Sequence, residues 1–285
     1  MTSLSRGPVS WSFRTLFCLV LVILLVLIVI AGRVLPLDPF AVDLAHIWEG
    51  PTVAHPCGRD GLGRDLLARL LIGTGTSFEI VASALVLALV LGVVFGGISG
   101  WYGGWIDALI MRIIDFSMGI RELVLAIIVS IIMGPSKATL VVILGLGCSP
   151  PLIRFVRSLA LVQRGQTHVL AAMALGASPF RIVITHILPN IGGSIAVRAA
   201  SIVGPLVQTE VALSFLGIGV QDPAPSLGTL VRDALFGLQS GFHLIVAITV
   251  TIFLIAFTST LMADEARDIT DPRWGGRSFG ESPKI

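Results

Sequence analysis

Long apolar runs separated by short polar stretches dominate this chain. They lie at Leu16–Gly32, Phe78–Trp101, Leu123–Gly134, Ala138–Val162, Gly192–Val220 and Phe242–Met262. A helix needs about 20 apolar residues to cross a bilayer. The third run reaches that length only if it also takes in Ile113–Ile120. The first run could be the core of a cleaved signal peptide. Its length, and Arg33 where a small-residue cleavage site would stand, favour a retained helix. Six spans predict an all-α membrane protein with both termini on one side.

Charge sets the expected orientation. Arg154, Arg157, Arg164 and Arg181 stand between spans four and five, and no Asp or Glu occurs between Glu122 and Glu210. Basic connections stay in the cytoplasm, so this one is expected there, with both termini. Arg6 and Arg14 agree. The loop from Asp38 to Ser77 mixes both signs and is expected outside.

Within the basic connection, Val169, Leu170, Met173 and Ala177 recur at helical spacing. Gly176 suits the left-handed residue that closes a helix. Ser178 and Pro179 suit the N-cap and first position of the next, running from Phe180 to about Leu188, where Pro189 ends it or opens the next span. An apolar stripe on such a loop predicts either docking into a partner's groove or a helix lying on lipid.

Composition narrows the class. Of 285 residues, 55% are hydrophobic and 13% charged, with net charge +2 and mean hydropathy +0.95. Soluble domains carry about 25% charged residues, so a soluble enzyme, a disordered chain and a secreted disulfide scaffold are excluded. The charge gives no sign of nucleic-acid binding. Cys18, Cys57 and Cys148 lack paired spacing, and His46, His55, His168, His186 and His243 are scattered, so no metal site is legible. There is no phosphate loop, no H-E-x-x-H and no G-x-S-x-G, so the chain carries no visible catalytic or ATP-binding residues.

The segment Gln166–Asn190 resembles the EAA loop of permeases of binding-protein-dependent ABC importers. Ala171, Ala172, Gly176, Leu188 and Pro189 keep that pattern's spacing, with Leu170 in place of its Glu and His186 in place of its first Ile. Further stretches resemble the dipeptide, oligopeptide and nickel branch in order: His55–Asp65, Tyr102–Asp107 with Met111–Asp115, Ala212–Gly219 and Ala266–Arg273. Arg121 and Leu227 depart from it, standing where the branch often has Pro and Trp.

The resemblance implies a permease subunit with a cytoplasmic coupling helix in the bacterial inner membrane. Its partners would be two ATPase subunits, a second homologous permease and a periplasmic or extracellular solute-binding protein. ATP and Mg would act in the ATPases, with no cofactor held here. Residues 170–172, 176, 188 and 189 would couple to the ATPase. The implied organisation is a tail, first span and outer loop over residues 1–76, then a five-helix permease core over 77–285. The implied substrate is a peptide, with nickel or another small solute as the alternative. A stand-alone secondary transporter would show an internal inverted repeat, and none is visible. A membrane scaffold would have no use for such a lever.

Polar groups inside spans are costly and usually face a bundle interior or an aqueous path. Arg198, Gln208 and Glu210 are therefore candidates for the translocation path. Arg198 could instead snorkel to the interface, and Glu210 could partner a neighbouring permease. Gly92, Gly96, Gly100 and Gly104 repeat every four residues, as where helices approach closely. Pro150 and Pro151 are expected to kink span four. Arg59–Asp60 and Arg64–Asp65 could pair within the outer loop or meet a binding protein. Leu66, Leu67, Leu70 and Leu71 are expected to form a helix along the outer surface.

Overall fold

A computed structural model describes residues 13–35, 38–237 and 242–270, and its elements are helices. They are α1 Phe13–Val34, α2 Leu66–Tyr102, α3 Gly104–Gly119, α4 Glu122–Met133, α5 Lys137–Arg164, α6 Thr167–Ala174, α7 Pro179–Ile182, α8 Leu188–Phe215, α9 Leu227–Phe236 and α10 Phe242–Thr270. Five helical stretches among the described residues are long and apolar enough to cross a membrane. Together α3 and α4 would make a sixth, bent by 93°. The bend falls at Ile120 and Arg121, whose backbone is extended. That is why the third apolar run is too short alone.

The second span begins earlier than its apolar run. The Asp65 carboxylate accepts from the Leu67 N–H at 3.0 Å and caps the helix there. Leu66 and Leu70 do not lie along the outer surface. They are buried against Leu230, Leu244 and Ile248. Their cover includes α9, a helix that the run pattern does not reveal. Ser226 starts α9 through a reciprocal capping box with Thr229. Because α2 passes unbroken through residues 76 and 77, the expected division there falls inside a helix. At its far end α8 stops at Phe215, short of Val220, where Gly217 takes φ +80° and Ile218 N–H bonds the Leu213 carbonyl.

The α2–α5 seam is built on three of the four spaced glycines. A Cβ at Gly92 would meet the Leu152 Cβ at 3.2 Å, one at Gly96 the Ile153 carbonyl at 2.7 Å, and one at Gly100 the Ala160 Cβ at 2.6 Å. Gly104 is different: it sits in the α2–α3 turn at φ +57° with open space around it. Helix α5 continues through Pro150 and Pro151. Pro150 cannot supply an N–H to the Leu146 carbonyl, and the Ser149 hydroxyl donates to it instead at 3.0 Å.

Helix α3 is tied to α5 by charge. Arg157 holds Asp107, which Ser99 also reaches, and Arg154 holds Asp115. Two of the four arginines of the basic connection are thereby neutralised within the bundle. The closing motif at 266–273 runs beyond the described residues, and Arg6 lies outside them.

Candidate functional site: lever, polar helix face and ion-pair lock

The lever forms as its sequence chemistry dictates. Leu175 closes α6, Gly176 follows at φ +79°, and the N–H groups of Gly176 and Ala177 bond the carbonyls of Met173 and Ala172. Ser178 then accepts from the Arg181 N–H, and Pro179 opens α7. From there the chain departs from a short separate helix. A π-helical turn, Val183–Ile187, carries α7 into α8 without a break, so Pro179–Phe215 is one 37-residue helix. The wider turn lets the Leu188 N–H reach the Val183 carbonyl and admits Pro189, which cannot donate to the usual acceptor. Pro189 thus neither ends a helix nor begins one.

One side of the lever is anchored. Val169, Ile182 and Ile187 are fully buried with Trp101, Val156, Ala160 and Ile191. Burying such side chains contributes about 1.5–3 kcal/mol each. The other side is bare. Leu170 is 51% exposed and Leu175 88%, with Ala171 and Gly176 exposed beside them. Of the expected coupling residues, Leu170, Ala171, Gly176 and Pro189 therefore face outward, while Ala172 and Leu188 pack inward on the anchor. Sequence spacing alone did not single out Leu175.

The histidines are less scattered than the chain order suggests. His168 and His186 stand with ring centres 6.3 Å apart. Asn190 bridges them, its Nδ2 3.2 Å from His168 Nε2 and donating to the His186 carbonyl at 2.7 Å. This pins α6 to the π turn.

The three membrane-embedded polar candidates separate. Ser194, Arg198, Ser201, Pro205, Gln208 and Ala212 follow each other at alternating steps of four and three residues, so they share one face of α8. Gln208 and Ala212 on it are exposed and Arg198 is half-buried, with no ion pair to any described residue. Pro205 also leaves the Ser201 carbonyl without its in-helix donor. Every residue on this face is small or polar.

Glu210 points the opposite way and is fully buried. Ser214 donates to its Oε1 at 2.7 Å, and Ser77 stands beside the carboxylate while accepting from the Leu227 N–H at 3.1 Å. Glu210 is thus tied within α8 by Ser214 and buried against Ser77 of α2, with its Oε2 lacking a hydrogen-bond partner among the described residues.

The opposite end of the bundle carries a polar lock. Arg69 is fully buried, 3.0 Å from Asp233 and 3.4 Å from Asp60. Arg64 pairs with Asp60 at 2.7 Å and Asp233 at 3.4 Å. Burial is the main force that raises the Asp233 carboxyl above the ordinary aspartate range, against the pull of Arg69. Arg59 pairs with Asp43 at 2.7 Å and Glu49 at 3.4 Å. The arginines of the motif are therefore paired structurally, though not with their immediate neighbours. Trp48 lies over Gly61, where a Cβ would come within 2.5 Å of the ring, and equally against Gly237. Of the motif's glycines, Gly61 is required by that close packing, whereas Gly58 and Gly63 take positive φ against the Glu49 and Asp43 carbonyls. Beside the lock is a cavity of about 560 Å³ between Phe40, Trp48, Arg64, Asp222 and Phe236.

Comparison with known proteins accounts for this arrangement. Residues 92–275 match the family model described as "Binding-protein-dependent transport system inner membrane component". The chain is 36% identical to the glutathione transport system permease protein GsiD of Shigella flexneri, over 90% of this chain and 85% of that one. It is 33% identical to the GsiD of Pectobacterium atrosepticum, over 81% and 77%. A chain of the inward-facing MetNI methionine ABC transporter shares the fold, with TM-score 0.54 at 20% identity over 70% of this chain and 96% of its own. The family match spans more than half of the chain and the GsiD relatives align with most of it: the chain belongs to the family of binding-protein-dependent inner membrane transport components, the permease subunits of ABC importers.

Proposed function

We propose that this permease carries peptides, and that Leu170 and Leu175 form the knob through which an ATPase subunit drives it. The observation that carries this reading is the unbroken helix from Pro179 to Phe215. It joins the lever to the face bearing Arg198, Ser201 and Gln208, so a push at one end moves the wall at the other. Glu210 sets the rotation of that helix rather than touching cargo.

The peptide assignment is supported by the GsiD relatives, named for glutathione, which is a tripeptide. In the proposed cycle a solute-binding protein delivers the peptide at the Trp48 end. Two ATPase subunits close on ATP and Mg at the lever end. The bundle and a second permease then rock between outward and inward access in a bacterial inner membrane, with this chain's termini in the cytoplasm. With Leu170 in place of an acidic residue, docking rests on apolar fit.

Leu175→Asp with Leu170→Asp tests the proposal in the reconstituted complex. Leu175 is 88% exposed, so the fold should change by less than about 0.5 kcal/mol. Loss of two central apolar contacts should weaken ATPase association by about 2 kcal/mol or more, roughly thirtyfold. Uptake of a labelled tripeptide should fall together with peptide-stimulated ATP hydrolysis. Normal uptake by this variant would sink the lever assignment. Normal coupling with no uptake of any di- or tripeptide would sink the substrate assignment.

A further inference from the structure

The lever end carries a second feature that ATPase docking does not use. An apolar groove of about 420 Å³ runs between α2 and the α7–π segment, walled by Val94, Gly97, Trp101, Phe180, Val183 and Ile184. Gly97 keeps it open: a Cβ there would meet only the Val183 Cγ1, at 4.0 Å. Phe180 is 77% exposed at its edge. Apolar side chains line the whole slot between two helices of the membrane-spanning bundle. Something as apolar as a hydrocarbon chain suits it.

The charge at its mouth specifies more. Arg164 lies over the Trp101 ring, 5.8 Å from the centroid. It makes no ion pair with any described residue, and neither does Arg181 on the turn that follows Phe180. Their two neighbours in sequence, Arg154 and Arg157, are taken by Asp115 and Asp107. Two guanidinium groups without an ion pair among the described residues, one over the Trp101 wall of the apolar slot and one next in sequence to Phe180 at its edge, suit an anion that carries its own hydrocarbon. Tyr102, 55% exposed at the end of α2, lines the same slot.

We propose that this groove binds one acyl chain of an anionic phospholipid, whose phosphate sits on Arg164 with Arg181 beside it. A zwitterionic lipid offers the same chain, but its amine opposes the two arginines. Basic pockets between membrane helices select anionic headgroups by this charge balance. The lipid would rest on Phe180 and Val183 and so tie the second arm of the lever to the membrane surface.

The test uses the assembled transporter in nanodiscs, with phosphatidylglycerol or phosphatidylcholine carrying a photoreactive acyl chain. Phosphatidylglycerol should cross-link to the peptides containing Val94 and Phe180–Ile184 several-fold more than phosphatidylcholine. Native mass spectrometry should find one retained per permease chain. Arg164→Gln with Arg181→Gln should cut that retention about tenfold, and Arg164→Lys should restore part of it. Gly97→Phe should block the slot while leaving both arginines in place. Arg164 and Arg181 are exposed, so their variants test the proposal even if Gly97→Phe fails to fold. Equal labelling by both lipids would overturn it. So would retention unchanged in the double variant, or labelling that vanishes once the ATPases are bound.

Discussion

The α2–α5 seam makes a graded prediction. In a free helix, Gly→Ala stabilises by about 0.5–1 kcal/mol, because alanine has less backbone freedom to lose. Whether the gain survives depends on what the new methyl meets. At Gly97 it meets one side-chain atom at 4.0 Å, so the gain should appear in full. At Gly92 it meets the Leu152 Cβ at 3.2 Å, a few tenths of an ångström too close; gain and strain should nearly cancel. At Gly96 it meets the Ile153 carbonyl at 2.7 Å and the Val156 Cβ at 2.8 Å, and at Gly100 the Ala160 Cβ at 2.6 Å and the Arg157 carbonyl at 3.0 Å. Backbone cannot swing aside as a side chain can. Carbon atoms pack at about 3.5–4.0 Å, so α2 and α5 must part by about 1 Å, at an overpacking cost of about 1–3 kcal/mol. The assay is thermal unfolding of the detergent-purified chain, followed by its tryptophan emission. The order of stability should be Gly97→Ala, wild type with Gly92→Ala, then Gly96→Ala and Gly100→Ala. A flat series, or Gly97→Ala at the bottom, would refute the seam as described.

Three further outcomes follow from the charged and polar groups. Asp233→Asn removes a partner from the fully buried Arg69 and should cost about 3–5 kcal/mol, read as lost heat resistance, whereas Asp222→Asn at the half-exposed Arg232 pair should cost under about 1 kcal/mol. The Asp43 carboxyl is held below the ordinary aspartate range, first by the hydrogen bond with His46, then by the Ala45 N–H and the nearby charges of His46 and Arg59. Its contribution is therefore present above pH about 4 and lost as pH falls through the lowered value. Protection factors across residues 43–63, measured against the intrinsic exchange rate at each pH, should fall there, and Asp43→Asn should remove that step. Glu210→Gln keeps an acceptor for Ser214 and should cost about 1 kcal/mol, while Glu210→Ala opens a cavity and strands the Ser214 hydroxyl, costing about 2–4 kcal/mol; equal melting temperatures for both would show that the carboxylate anchors nothing.

What the sequence reveals depends on the range of the interaction. The lever was legible because its makers are local: Gly176, Ser178 and Pro179 determine backbone shape within three residues. The glycine spacing was legible for the same reason, except that Gly104 follows the period and lies in a turn. Three features needed tertiary partners. Leu66 and Leu70 looked like a surface stripe because their cover, α9, comes 160 residues later and is only half apolar. Arg59–Asp60 and Arg64–Asp65 looked like two neighbouring pairs, yet the structure matches Arg59 to Asp43 and Arg64 to Asp60. Glu210 looked like a path residue because hydropathy gives depth without direction. Its position relative to Gln208 on the same helix shows that the two face opposite sides.

That opposition explains how one helix can serve as both lever and wall. A rod that transmits a push must not spin about its own axis, or the push is lost as rotation. The face carrying Arg198, Ser201 and Gln208 is small and lightly packed, so it offers little resistance to rolling. The resistance comes from the other side. Glu210, held by Ser214 within α8, is buried against Ser77 of α2, whose hydroxyl accepts from the Leu227 N–H at the start of α9. At the lever end, Ile182, Ile187 and Ile191 are buried on the anchoring cluster, and Asn190 holds His168 and His186. The helix is thus clamped near both ends on its buried side and free along its polar side. The π turn at Val183–Ile187 lies within the lever-end clamp, so Pro205 is the interruption of the regular backbone ladder that falls between the clamps, and bending concentrates where that ladder is broken. The motion this permits is a bend at Pro205, which would shift Arg198 and Ser201 relative to Gln208 while the two clamped ends keep their rotation.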